Sequence, residues 1–196
     1  MRRSYQLKER ATRMEETKRR IAAATMELHA SIGPSNTTVS AIADRAGVQR
    51  LTVYRHFPDQ RELFQACVEH GLSVMPLPDP EPWREITDPR RRLRAGLTKV
   101  YRYFRQTETA WANILPDLPK MPALLEANEP VFAHWDRVRE ALIGGWALPA
   151  GRRRLLEAAI GLALDFHTWR SLAKDEGLAD DEAADVFVRL AGCLAT

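Results

Sequence analysis

Apolar residues recur along most of the chain every three or four positions, the spacing that places them on one face of a helix. The first such pattern extends from about Glu15 to Ile32, with Ile21 and Leu28 on the same side, and Gly33-Pro34 ends it. Strand-like alternation never persists for a useful length, and no repeat or low-complexity block interrupts the helical spacing. The pattern predicts an all-α protein.

A proline-rich segment divides this pattern. Residues 75–82 contain four prolines, and no helix continues through such a segment. Beyond it lie further amphipathic helices. One, at 152–173, is apolar on two faces, and a single apolar stripe follows from Ala183 to Leu194. A helix that is apolar on two sides needs two partners, so the second face predicts contact with a second copy of the chain.

The segment Thr37–Phe57 predicts two short helices separated by a sharp turn. Thr38 precedes the first helix, and its hydroxyl oxygen is suited to a free amide of the first turn. Gly47 follows that helix, and glycine adopts the left-handed conformation of a tight helix exit without a Cβ clash. Polar side chains cover most of the second helix, whose size fits a DNA major groove. This layout predicts a helix-turn-helix.

Two runs of residues carry a resemblance to a known family: TTVSAIADRAGV at 37–48 and LTVYRHFPDQRELF at 51–64. They resemble the TetR family of bacterial transcriptional regulators, and the resemblance is closest over residues 17–74. The second run is the more specific, because few other helix-turn-helix families continue into Tyr-x-x-Phe-Pro-Asp. The chain departs from the family pattern at Gln49, where a small hydroxyl residue is usual, and at Gln60, where many members carry a lysine.

The resemblance implies how the chain is organised. A basic arm at 1–14, either disordered or a helical extension, precedes a three-helix DNA-binding domain at 15–74. A helical ligand-binding and dimerisation domain follows at 83–196. The resemblance also implies a homodimer joined through the last two helices as a four-helix bundle, bound to a palindromic operator in double-stranded DNA. The charges agree, because residues 1–67 contain 12 Lys/Arg against 7 Asp/Glu, whereas the remainder contains 17 against 19.

The second helix of the helix-turn-helix contains the candidates for base recognition. Arg50 lies near its start, where side chains reach base edges, and arginine pairs well with guanine. Thr52 and Arg55 are candidates for base or phosphate contacts. Four further candidates are expected to fix the docking by hydrogen bonding to phosphates, a role that the family resemblance implies for the first three: Thr38, Tyr54, His56 and Gln49.

Aromatic residues are frequent in the second domain, and two interpretations stay open. Each of them is suited to fill the core. Together, with Asp165 and His134 nearby in sequence, they are suited to line a pocket for an apolar or aromatic small molecule. The family resemblance supports the pocket and leaves the compound open. The predicted ligand-binding residues are Tyr101, Phe104, Trp111, Trp135, Phe166 and His167.

Several function classes have no support in the sequence. The histidines are scattered rather than paired at metal-ligand spacing, and no nucleophile elbow or Gly-rich phosphate loop is present. We therefore expect no metal, no cofactor and no enzymatic activity. Cys67 and Cys193 match no metal or redox spacing and are expected to be free thiols. No apolar run approaches the ~20 residues that cross a bilayer, so we expect a cytoplasmic protein without membrane contact.

These inferences predict a sequence-specific DNA-binding transcriptional regulator, a repressor that a small apolar or aromatic ligand releases from its operator. The alternative is a DNA-binding dimer without a small-molecule inducer, regulated by a protein partner or associated with the chromosome. A third interpretation, an enzyme that reuses a helical bundle, would leave the polar recognition helix without a role. The operator sequence, the effector and the regulated genes stay open.

Overall fold

The computed structural model describes residues 2–194, with side chains at 8–149 and 151–194. The described residues form α-helices joined by turns and contain no β-strand, which confirms the all-α prediction. The helices are Arg2–Ile32 (α1), Val39–Ala46 (α2), Arg50–His56 (α3), Gln60–Val74 (α4), Glu81–Arg84 (α5), Pro89–Ile114 (α6), Pro122–Ala127 (α7), Glu129–Ile143 (α8), Ala150–Ala163 (α9), Phe166–Arg170 (α10) and Asp180–Leu194 (α11). Short 3-10 turns at Pro34–Asn36 and Leu118–Lys120 and a π-turn at Ser171–Asp175 complete the connections.

Helix α1 begins earlier than the apolar pattern indicates. Its backbone is helical from Arg2, so the helical alternative for the basic arm at 1–14 is the observed one. Met1 and the side chains of residues 1–7 lie outside the described residues. Within the extension, Arg13 forms an ion pair with Glu9 at 3.4 Å, one helical turn away. Such pairs stabilise an exposed helix.

The chain divides into two compact units. The first comprises Met1–Pro76 and Thr109–Pro130, and the second comprises Leu77–Glu108 and Val131–Thr196. The prolines at 75–82 therefore mark a true boundary. The chain passes from one unit to the other at two further points, and both lie inside helices. Helix α6 spans residues 108 and 109, and α8 spans residues 130 and 131.

Residues 109–130, which the sequence pattern assigned to the second domain, belong to the first unit. Helix α7 packs against α4, where the Arg61 guanidinium lies 2.6 Å from the Glu126 carboxylate. The Asp117 carboxylate accepts a hydrogen bond from the backbone N–H of Ser35 at 2.9 Å. The Asn113 amide donates to the carbonyl of Ala30 at 2.8 Å. These bonds join residues about eighty positions apart, and local spacing gives no sign of them.

The predicted helix at 152–173 is divided. Helix α9 ends at Ala163, and the Asp165 side chain then caps α10 by accepting from the Thr168 N–H at 2.8 Å. The Ala163 carbonyl, free at the end of α9, accepts a hydrogen bond from the Tyr101 hydroxyl at 2.9 Å. The prediction of one continuous helix is therefore wrong. Its apolar residues divide too, because Leu155 and Leu162 of α9 are exposed whereas Phe166 and Trp169 of α10 are buried.

Candidate DNA-binding interface

Helices α2 and α3 form the predicted helix-turn-helix. The Thr38 hydroxyl oxygen accepts the Ala41 N–H at 3.1 Å, which caps α2. Gly47 then leaves the helix in the left-handed conformation, with φ 64° and ψ 42°. The next amide, that of Val48, donates to the Ala43 carbonyl at 2.9 Å and closes the turn. Both local predictions, the Thr38 cap and the left-handed Gly47, are confirmed.

Helix α1 holds this turn in place. The Arg20 guanidinium donates hydrogen bonds to the carbonyls of Ala46 and Gly47. The Lys18 ammonium lies 5.6 Å from the centre of the Phe57 ring, at the exit of α3. These contacts fix both ends of the segment that contains α3, so its outer face is presented by a rigid support.

Helix α3 is anchored by few residues. Val53 is 1% exposed and packs in the core of the first unit with Ile42 and Leu63. Phe57, which follows the helix, is also buried. The other residues of α3 do not anchor the helix in the core, and they are exposed or half-buried. The predicted DNA-binding residues Thr38, Gln49, Arg50, Tyr54 and Arg55 are exposed, and Thr52 and His56 are half-buried.

The electrostatics of α3 favour an anionic partner. Arg50 and Arg55 are exposed, and neither forms an ion pair among the described residues. Partial burial, with the positive charges of Arg55 and Lys18 nearby, lowers the pKa of His56. Its imidazole is therefore neutral at neutral pH and has one N–H to donate. A phosphate beside it would favour the protonated form.

Leu51 was not among the residues predicted to contact DNA. Its residue surface is 73% exposed, the highest value among the large hydrophobic residues that the structure describes. The signal was present in the spacing: Leu51 precedes the buried Val53 by two positions, about 200° around an α-helix. Leu51 and Arg55, one turn apart, therefore share the outward face.

The predicted ligand-binding residues are only partly brought together. In the second unit, the Phe104 ring lies 5.4 Å from Trp135, 5.6 Å from Phe166 and 5.8 Å from Trp169, between ring centres. We call these four residues the aromatic cluster. Trp135 is half-buried and the other three are buried.

The other predicted ligand-binding residues lie apart from these ring contacts or at the surface. Tyr101 is fully buried, and burial raises the pKa of its hydroxyl above the ordinary range. Trp111 belongs to the first unit. His167 is exposed, with its ring centre 5.5 Å from that of Phe166.

A cavity of about 210 Å³ lies in the first unit, beside α3. Its lining includes Val53, Tyr54 and Phe57, together with His29 from α1. His29 is buried, its Nδ1 lies 3.6 Å from the Cys67 sulfur, and burial lowers its pKa to about 4. Burial likewise raises the pKa of the Cys67 thiol to about 12, so both groups are neutral in the folded protein at neutral pH.

An apolar strip lies on the packed pair α9 and α11 of the second unit. Leu155 and Leu162 of α9 are 56% and 55% exposed, and Val186 and Leu190 of α11 are 42% and 44% exposed. We call these four residues the apolar strip. Elsewhere, the described residues contain no group of three His, Cys, Asp or Glu placed to hold a metal ion. None of the described helices is long and apolar enough to span a membrane.

Comparison with known proteins gives a family match over the helix-turn-helix. Residues 21–67 match the family described as "Bacterial regulatory proteins, tetR family". The HTH-type transcriptional regulator SrpR of Pseudomonas putida is 39% identical over 72 residues, 35% of this chain. That match spans only 34% of the length of SrpR.

Two other similar proteins extend over most of the chain. The HTH-type transcriptional activator FasR of Mycolicibacterium smegmatis is 25% identical over 181 residues, 90% of this chain and 82% of FasR. The crystal structure of NalD, the secondary repressor of the MexAB-OprM multidrug efflux pump in Pseudomonas aeruginosa, superimposes with a TM-score of 0.61 at 25% identity. It covers 91% of this chain and 95% of NalD.

Proposed function

We propose that the chain is a TetR-family repressor that a small apolar or aromatic ligand releases from its operator. Members of the family are DNA-binding transcriptional regulators rather than enzymes. One observation carries the DNA-binding part. Helix α3 is anchored by Val53 and presents Arg50, Tyr54 and Arg55 outward, inside the segment that matches the family.

The contacts to DNA divide into two kinds. Arg50 stands at the first position of α3, from which we propose that its guanidinium pairs with guanine in the major groove. Thr38 accepts an amide at its oxygen, so its hydroxyl proton remains for a phosphate. The Tyr54 hydroxyl and the neutral His56 imidazole are the other proposed phosphate donors. Gln49, Thr52 and Arg55 complete the interface.

We propose that two copies bind one operator. The apolar strip is supported by α9 and α11, which pack on each other, and its four side chains are exposed in the single chain. Burying the same strip of a second copy would form the four-helix bundle expected for the family. Two copies of α3 then require a pseudo-palindrome with half-sites about one helical turn, ~34 Å, or somewhat more apart.

The proposed effector site is the aromatic cluster. Trp135 is half-buried, so a small aromatic ligand can reach the cluster from its side and pack against Phe104 and Phe166. Helix α6 contains Phe104 and ends in the first unit at Ile114, so a shift of α6 changes both units. That NalD represses a multidrug efflux pump favours repression in response to a small apolar compound.

A second candidate is a DNA-binding dimer without a small-molecule inducer. The buried members of the aromatic cluster are at most 4% exposed, and the ring centres of Phe166 and Trp169 lie 5.7 Å apart. These observations favour a packed core in the second unit. Regulation would then come from a protein partner.

Linkage between DNA and ligand separates the two candidates. A panel of apolar and aromatic compounds is screened by thermal shift, and the affinity of each hit is measured with and without saturating operator. For an inducer, operator must weaken ligand binding by the same factor by which ligand weakens operator binding, typically about 5–150-fold. Trp135→Ala should abolish binding of the hit compound, whereas the control variant Trp111→Phe, in the first unit, should retain it. Equal affinities in both conditions exclude that compound as an inducer, and failure of the whole panel favours the second candidate.

A further inference from the structure

Leu51 is the most exposed large hydrophobic residue in the part of the chain that the structure describes. Its residue is 73% exposed on a helix of only seven residues, Arg50–His56. The four exposed residues of the apolar strip, by comparison, lie on two helices that pack against each other. The neighbours of Leu51 on the outward face of α3 are instead Arg50, Tyr54 and Arg55, which are exposed and polar or charged.

The position of Leu51 is fixed by the anchor beneath it. Val53 is 1% exposed, and Leu51 lies about 200° around the helix from it, so the leucine points away from the core. Arg55 follows one turn later on the same face, and Arg50 directly precedes Leu51. A leucine between two unpaired cations is poorly suited to a protein-binding patch, which is contiguous and apolar. The cations favour a polyanion, with an apolar group facing the leucine.

Double-stranded DNA offers such a group in its major groove. Thymine presents a C5 methyl there, whereas the other exposed base-edge atoms are hydrogen-bond donors and acceptors. We propose that Leu51 packs against the C5 methyl of a thymine and makes the protein select thymine at one position in each half-site. This inference rests on the proposed DNA-binding function and assigns a specificity-determining residue within that site.

The contact can be tested by removing one methyl group from the DNA. An operator is first obtained by selection from a random library with the full chain. Each of its thymines is then replaced, pairwise in the two half-sites, by deoxyuridine, which differs only in lacking the methyl. At one symmetric pair of positions, this replacement removes two methyl groups that contact the protein. Because each buried methyl contributes about fourfold, the affinity of the wild type should fall about tenfold or more.

The Leu51→Ala variant should bind thymine and deoxyuridine operators equally well at that pair of positions. Leu51→Met keeps an apolar side chain and should keep the sensitivity. Arg55→Ala should weaken binding to both operators while leaving their ratio unchanged. Leu125→Ala, at an exposed leucine of α7, should alter neither the affinity nor the ratio. Thermal unfolding of each variant verifies that the fold is retained.

Two results would overturn the inference while leaving the proposed function intact. One is a selected operator in which no thymine methyl matters. The other is an equal methyl effect in wild type and Leu51→Ala. Failure to select any specific DNA would instead contradict the proposed function itself, and the inference with it.

Discussion

The helix-turn-helix and the aromatic cluster differ in whether their distinctive side chains are exposed or buried. In the first unit, α3 buries Val53 and leaves Arg50, Leu51 and Arg55 in solvent. In the second unit, the chemically distinctive side chains point inward, and Trp169 is fully buried. Exposed side chains that do not stabilise the fold are available to bind a partner, whereas buried rings already stabilise the fold. Exposed polar and charged side chains on a well-anchored helix are therefore stronger evidence for a binding site than a high content of aromatic residues.

The largest expected effect tests whether the aromatic cluster is core. Trp169→Ala should lower the free energy of unfolding by about 3–5 kcal/mol, because it removes a fully buried indole that also donates to the Asp180 carboxylate at 3.2 Å. Trp135→Ala, at a half-buried ring of the same cluster, should cost much less. Urea denaturation followed by circular dichroism measures both. Equal small losses would mean that the cluster is loosely packed and open to ligand.

The next effect concerns the core beneath the candidate DNA-binding surface of α3. His29 has a pKa of about 4 in the folded protein against 6.5 for the free side chain. Between these values the unfolded chain binds a proton that the folded chain does not, so stability is complete above about pH 6.5 and falls as the pH decreases. The loss should approach about 3 kcal/mol near pH 4.

Denaturation curves between pH 7 and about pH 4 measure this dependence. The His29→Gln variant provides the control, because it has no titrating group at this position and should lose most of the slope in that range. A wild-type stability that stays constant down to pH 4 would contradict the buried, neutral His29.

Within α3, Arg50→Ala and Tyr54→Phe should have different signatures. If Arg50 pairs with a base, its loss should cost about 1–3 kcal/mol on the cognate site and relax the preference at one position. Loss of the Tyr54 hydroxyl should cost about 0.5–1.5 kcal/mol on every sequence alike. Fluorescence anisotropy with cognate and scrambled duplexes distinguishes them. An equal loss on both duplexes for Arg50→Ala would show that the guanidinium contacts phosphate.

The smallest effect is a pH dependence of DNA binding at His56. Burial and nearby cations lower its pKa in the free protein, and a phosphate would raise it in the complex. Binding should therefore take up protons, and affinity should increase modestly as the pH falls from about 8 to about 6. His56→Gln should flatten this part of the profile. An unchanged profile in that variant would place His56 away from phosphate.

Local features could be predicted from the sequence. The Thr38 cap and the left-handed Gly47 depend on residues within a few positions of one another. Because neighbouring residues decide them, spacing and residue type were sufficient.

Distant partners account for what the sequence could not predict. After α9, the Ala163 carbonyl accepts from the Tyr101 hydroxyl, 62 positions away, and in the first unit the Asp117 carboxylate of the 109–130 segment accepts from the Ser35 N–H, 82 positions away. Leu51 was missed for another reason, because a leucine in a helical pattern is normally assigned to the core. Its outward position follows from the two-residue spacing to the buried Val53.

Selection of DNA from a random duplex library by the full chain is the decisive measurement of sequence-specific binding. We expect enrichment of a pseudo-palindrome whose half-sites lie about one helical turn, ~34 Å, or somewhat more apart, bound by two copies of the chain. Arg50→Ala, selected in parallel, should enrich a related site with a relaxed preference at one position of each half-site. No enrichment of any sequence, or equal binding of single half-sites by a chain that sediments as a monomer, would contradict sequence-specific binding by a dimer.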